Sequence, residues 1–133
     1  MSKDVIACVE DLFFRSKIEA TARHLNAPLR FVGAKELAGA AAQGDPAAVL
    51  LELSSGDSLA AVRALRQGKT AGIPVIGFLS HVDKELARNA EAAGVSQIMP
   101  RSQFSETLPD LLMDLLAPGT KREVQEEPEL PDE

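Results

Sequence analysis

The run Ala47-Ala48-Val49-Leu50-Leu51-Glu52-Leu53-Ser54-Ser55-Gly56-Asp57 places the tightest constraint on what this chain can fold into. Its apolar residues do not alternate with polar ones, as they would in a strand with one wet face. The segment therefore suits a strand covered on both sides, which is the situation of a parallel sheet with helices on each face. Glu52 interrupts the run near its end, and Ser54-Ser55-Gly56 signals a turn. In open α/β sheets, ligands and chemistry collect outside the carboxyl ends of the strands, so Glu52 is expected on the functional rim.

The rest of the chain supplies partners for that strand. Asp4–Val9 reads as a first buried strand ending at the acidic pair Glu10-Asp11. Phe14, Ile18, Thr21/Ala22 and Leu25 then follow at helical spacing, with Asp11 as N-cap and Asn26-Ala27-Pro28 as the stop. Leu29–Val32 is a short second strand, and Lys35–Gln43 an Ala-rich helix broken by Gly44-Asp45-Pro46. After the organising strand, a helix is expected from about Ser58 to Gln67, ended by Gly68. Ile73–Leu79 forms a fourth strand with Pro74 at its start, where no ladder donor is needed. Ser80 and Asp83 have capping-box spacing ahead of a helix that buries Val82, Leu86, Ala90 and Ala93 and stops at Gly94. Val95–Met99 is a weaker fifth strand, and Phe104, Leu108, Leu111/Leu112 and Leu115 stripe a last helix that ends at Pro118-Gly119.

Five strands alternating with five helices imply right-handed crossovers around a doubly wound parallel sheet. One α/β domain is expected over residues 1–117, followed by an acidic tail over 118–133. The tail has too little apolar surface to offset the entropy of ordering, and is expected to be disordered. It carries −4 of the chain's formal −6, counted from Gly119, so the body is close to neutral. A body without a basic surplus argues against binding nucleic-acid phosphates. No apolar run approaches eighteen residues and no signal-peptide pattern opens the chain, so a cytoplasmic protein with no membrane association is expected. The lone Cys8 allows no internal disulfide, and its place in a buried strand fits a small inert hydrophobe. His24 and His81 lack the spacing of a metal pair, and Gly33, Gly56 and Gly77 form no phosphate-cradling signature.

From Lys3 to Leu116 the chain resembles a response-regulator receiver domain, the phosphoacceptor module of two-component signalling. The resemblance is carried by Ile73-Pro74-Val75-Ile76-Gly77-Phe78-Leu79 followed by Ala92-Ala93-Gly94-Val95, and by Glu10-Asp11 where that family keeps its metal-holding acids. It implies a flavodoxin-like, five-stranded sheet of order 2-1-3-4-5. It also identifies departures. Glu52 stands where the family has its nucleophilic aspartate, one methylene longer than catalytic geometry readily tolerates. Leu79 replaces the phosphate-binding hydroxyl, with Ser80 one step beyond. Arg101 replaces the family's lysine, a planar fork for a compact ammonium. Ile98 replaces the switching aromatic.

The resemblance thus implies an atypical receiver whose pocket of Glu10, Asp11, Glu52, Leu79, Ser80 and Arg101 is degenerate for phosphoryl transfer. The expected function is non-enzymatic signalling by protein–protein contact, with a signalling protein or a second copy as partner. Receiver relatives use the surface of the fourth helix, fifth strand and fifth helix, which here places Leu86, Ile98, Met113 and Leu116 in an interaction surface. Phe13, sent outward by helical phase beside the rim acids, joins them as an aromatic anchor. No cofactor is expected, though Glu10, Asp11 and Glu52 are a candidate oxygen set for Mg²⁺; in the alternative, Asp11 caps its helix and Arg101 neutralises the cluster. Glu52 would also be an imperfect mimic of a phosphorylated aspartate. Two other functions stand beside this one: a working phosphoacceptor with Asp57 displaced into the acceptor's role, and a flavodoxin-like small-molecule binder.

Overall fold

A computed structural model describes residues 4–79 and 83–116. The organising run becomes β3 (Ala48–Glu52), flanked by β1 (Val5–Cys8) and β4 (Val75–Leu79). β2 (Leu29–Phe31) and β5 (Gln97–Pro100) are the edges, giving the expected all-parallel order β2-β1-β3-β4-β5. Val49 pairs with Ile6 on one side and Val75 on the other. The edges are protected against further pairing by their shortness and, at the end of β5, by Pro100.

Both faces of the sheet are covered, which is why the central strands read as unbroken apolar runs. Ile6, Cys8, Val49, Leu51, Val75 and Leu79 face a layer made by α2 (Leu37–Gly44), α3 (Ser58–Leu65) and α4 (Lys84–Ala93). Val5, Ala7, Ala48, Leu50, Ile76 and Phe78 face α1 (Leu12–His24) and α5 (Arg101–Leu116). The buried helical positions Phe14, Ile18 and Ala22 follow the i, i+4 spacing seen in the sequence. Leu50 and Leu51 are essentially without exposed surface, and such burial stabilises by roughly 2 kcal/mol per side chain. On the α1/α5 side, Phe14, Phe78 and Phe104 form a cluster with ring centroids 4.5–5.8 Å apart, tying α1, β4 and α5 together.

Several boundaries differ from the sequence expectation. The helix after β3 ends at Leu65 with Arg66 as its C-cap, and Gly68, instead of stopping it, opens a 3₁₀ turn over Gly68–Thr70 with φ of +67°. A 3₁₀ turn over Ala34–Glu36 precedes α2, so that helix is shifted to Leu37–Gly44. The N-cap of α4 is Asp83 itself, whose carboxylate accepts the Leu86 N–H, so Asp83 is not the N3 acid of a capping box. Ser80, His81 and Val82 lie outside the described residues, as does the tail from residue 117. β5 starts two residues later than expected because Ser96 is used differently. Its hydroxyl accepts the Val75 N–H at 3.0 Å and a bond from Arg66 at 3.2 Å.

Arg66 explains the tightness of that end of the sheet. Its guanidinium also donates to the carbonyls of Gly94, Ala71 and Ile73 at 2.9, 2.9 and 2.6 Å. One side chain thus fastens the segments entering β4 and β5 to the end of α3. Burial lowers its pKa, yet a guanidinium stays protonated, so the clamp persists at any ordinary pH. The clamp also dictates Gly94, which has φ of +115° and an ideal Cβ position only 2.9 Å from Arg66 Cγ.

Two stability predictions follow from these contacts. A Cβ at Gly77 would come within 2.9 Å of three atoms of the fully buried Leu53 side chain. Gly77→Ala should therefore cost about 1–3 kcal/mol in urea unfolding, and pairing it with Leu53→Ala should recover part of the loss. Arg66→Ala should cost about 1.5–3 kcal/mol, and Arg66→Lys should fail to restore it because an ammonium cannot span the fork of acceptors.

Candidate functional site

The carboxyl ends of β1 and β3 and the start of α5 bring Glu10, Asp11, Glu52 and Arg101 to one rim. Asp11 is the N-cap of α1, as expected, with Oδ1 accepting the Phe14 N–H at 3.1 Å. Its other oxygen, Oδ2, is 2.7 Å from Arg101 Nη2. The meeting is a consequence of layering: α1 and α5 lie side by side on the same face of the sheet, so the first residue of α5 reaches the cap of α1. The Arg101 guanidinium carbon also sits 4.7 Å from the centre of the Phe14 ring. A flat cation is thus held between a carboxylate and an aromatic face, a geometry that suits arginine and not lysine. The Phe14 N–H first, and then Arg101, hold the Asp11 carboxyl below the usual aspartate range despite an opposing effect of burial.

Glu52, the last residue of β3, turns its carboxylate across the rim to the loop between β1 and α1. Its Oε1 accepts the backbone N–H groups of Glu10 at 2.8 Å and Asp11 at 3.3 Å. Glu10 is exposed, and its Oε2 accepts the Ser55 hydroxyl at 3.2 Å. The three acids are therefore adjacent but directed to different partners. Convergence of Glu10, Asp11 and Glu52 on one Mg²⁺ is not the arrangement found: among the described residues no group of three His, Cys, Asp or Glu is placed to hold a metal. The reason is local, since both Asp11 oxygens are engaged and Glu52 is drawn to N–H donors that strand and helix leave unpaired.

The other residues singled out by sequence are scattered. Leu79 is buried against the α2–α4 layer and offers the rim no polar atom. Asp57 is exposed and lines a groove between α2 and α3 with Ala38 and Ala64, apart from the Asp11–Arg101 pair. Leu86 and Ile98 are half-buried against the α2–α4 layer, whereas Leu116 packs against the α1/α5 layer. Met113 is half-buried on α5. Phe13 is fully outside, 86% exposed, on the other flank of the rim. Cys8 is buried, and burial first, with the charge of Glu36 added, pushes its thiol up to about 12. Such a thiol is not a nucleophile at neutral pH.

Sequence reasoning missed Ser55, the ring under Arg101, and a cleft of about 300 Å³ at the crevice between β1 and β3. That cleft is bordered by Glu10, Arg15, Phe31, Glu52 and Ser55, with the Arg15 guanidinium 4.6 Å over the Phe31 ring. The sheet order alone locates such a crevice, because the order in which strands are added reverses between β1 and β3.

Comparison with protein-family models and with curated proteins gives no match. Solved structures do match. A response regulator from Hahella chejuensis superposes with a TM-score of 0.77 at 17% identity, over 88% of this chain and 97% of that one. The receiver domain of a sensor histidine kinase from Pseudomonas aeruginosa PAO1, with a magnesium ion coordinated in its active-site cleft, gives 0.75 at 18%, over 87% and 98%. A Vibrio cholerae chemotaxis response regulator gives 0.74 at 16%, over 87% and 100%. The fold is that of a receiver domain.

The depressed Asp11 pKa carries a sign. A carboxylate favoured in the folded state adds stability at neutral pH, and that contribution is lost as pH falls through its folded pKa, below the ordinary value of about 3.9. Asp11→Asn, which keeps a capping oxygen but no charge, should be less stable than the parent at neutral pH. The gap should close on acidification, read from urea midpoints across the acidic range. A gap that is constant with pH would mean that the Asp11 charge plays no part.

Proposed function

We propose that this chain is an atypical receiver-like signalling domain that works by protein–protein contact and independently of phosphorylation. The observation that carries the reading is the Glu52 carboxylate. It stands where the resemblance puts a nucleophilic aspartate, and it is spent on the N–H groups of Glu10 and Asp11. Around it, the position of the phosphate-binding hydroxyl holds buried Leu79, and Arg101 is committed to Asp11 and Phe14. A receiver pocket of this composition is held in one state by its own charges, where a phosphoryl group and a metal would otherwise switch it.

Magnesium is coordinated in the cleft of the Pseudomonas relative. In this chain the residues do not fit it as arranged, because Arg101 occupies the Asp11 oxygen that a cation would need. The protein partner is a signalling protein or a second copy, and the half-buried residues Leu86, Ile98, Met113 and Leu116 lie on the elements through which it would dock. The cleft of about 300 Å³ at the β1/β3 crevice favours a second reading, a small-molecule binder, at the lower end of the size such sites have.

Two measurements test the proposal. Incubation with a small phosphodonor and Mg²⁺ should leave the intact mass unchanged; a stoichiometric acyl-phosphate on Glu52 or Asp57 would overturn it. Arg101→Ala should bind divalent cations more tightly than the parent while melting lower in metal-free buffer, because the substitution frees Asp11 Oδ2 and removes its counter-charge. Unchanged affinity and melting by calorimetry would show that the Arg101 pair does not set the state of the rim.

A further inference from the structure

Leu12 and Phe13, 73% and 86% exposed, are the large apolar side chains left in solvent among the described residues. Phe13 walls a cleft of about 720 Å³ between the N-terminal ends of α1 and α5. The other walls include Lys17, Arg101, Ser16, Ser102 and Ser105, and none of the described wall residues is acidic. In a chain of formal charge −6 this is a surface with only cationic charges around an aromatic ring. The first-turn N–H groups of the 16-residue α5 lie at the same end and add positive potential.

We infer that this cleft is a docking surface for an acidic segment anchored by an apolar side chain, and that residues 123–133 of this same chain are its occupant. Those residues carry Glu123, Glu126, Glu127, Glu129, Asp132 and Glu133, no base, and the apolar Leu130. Leu116 ends α5 at the far end from Arg101, about 24 Å away for a helix of this length. Leu130 is 14 residues further along, a stretch that spans up to about 46 Å when extended, so the anchor reaches Phe13 with chain to spare. Tethering supplies an effective concentration in the millimolar range, so a contact too weak to hold a free peptide suffices. Lys17 provides most of the attraction, because one face of Arg101 is already paired with Asp11. A second copy fits the surface less well, since a two-fold contact sets the same patch against itself and brings like charges together. The contact does not depend on whether the rim can be phosphorylated.

A nitroxide label on Pro131→Cys in the full chain tests it. Cys8 is buried, so the introduced thiol is the one that reacts. In dilute salt, the amides of Phe13, Lys17, Ser102 and Ser105 should lose about half their intensity or more, and recover near 0.5 M NaCl, where screening acts within about 4 Å. Lys17→Glu, an exposed change that leaves the fold intact, should reduce the loss at least about threefold through like-charge repulsion. Broadening spread evenly over the surface, or unaffected by Lys17→Glu, would overturn the assignment. So would broadening seen only between a labelled chain and a separate isotope-enriched one, which would put a second copy in the cleft.

Discussion

The structure depends on a central strand with no wet face. β3 is buried on both sides, so it must be hydrogen-bonded to neighbours at both edges and roofed by helices above and below. Once that is required, the chain has little freedom left. β1 and β4 flank it, right-handed crossovers distribute the helices over both faces, and the carboxyl ends of the parallel strands share one rim. The placement of Glu10, Asp11, Glu52 and Arg101 is a by-product of this layering.

At the rim, the fold itself supplies partners for crowded carboxylates. Three carboxylates crowd the ends of β1 and β3, and each is answered by something the fold already supplies. Backbone donors answer Glu52, a hydroxyl answers Glu10, and a helix cap plus a guanidinium answer Asp11. The aromatic cluster of Phe14, Phe78 and Phe104 matters here as much as the charges. It locks α1 against α5 and presents the ring on which Arg101 lies. Packing on one face of the sheet therefore fixes the geometry of the pair at its rim. Under the proposed function, this packing is what would hold the pocket in one state.

The opposite end of the sheet is held by a second arginine in a different way. Among the described residues Arg66 meets no carboxylate; its fork is divided among the carbonyls of Gly94, Ala71 and Ile73 and the Ser96 hydroxyl. Such a clamp satisfies loop carbonyls that strands β4 and β5 leave unpaired on entry, and it keeps the half of the sheet next to the edge in register. Phe13, on the flank of α1, is the most exposed of the large apolar side chains among the described residues.

By itself, the sequence determined the fold class, the strand order that its resemblance implied, the core stripes of α1 and α5, the Asp11 cap and the burial of Cys8. The strand order came with the resemblance; the others rest on periodicity or on bonds between residues close in the chain, which a linear reading can see. Residue type points to Arg101 as the cation that answers the acidic cluster, but its choice of Asp11 over Glu52 is decided only in three dimensions, where residues 90 positions apart meet across adjacent helices. The turn of Glu52 toward the β1–α1 loop, the bond from Ser55, the fork of Arg66 and the early end of α3 were likewise invisible. Each depends on which donor lies within about 3 Å of which acceptor after the layers have packed, and spacing along the chain does not encode that distance.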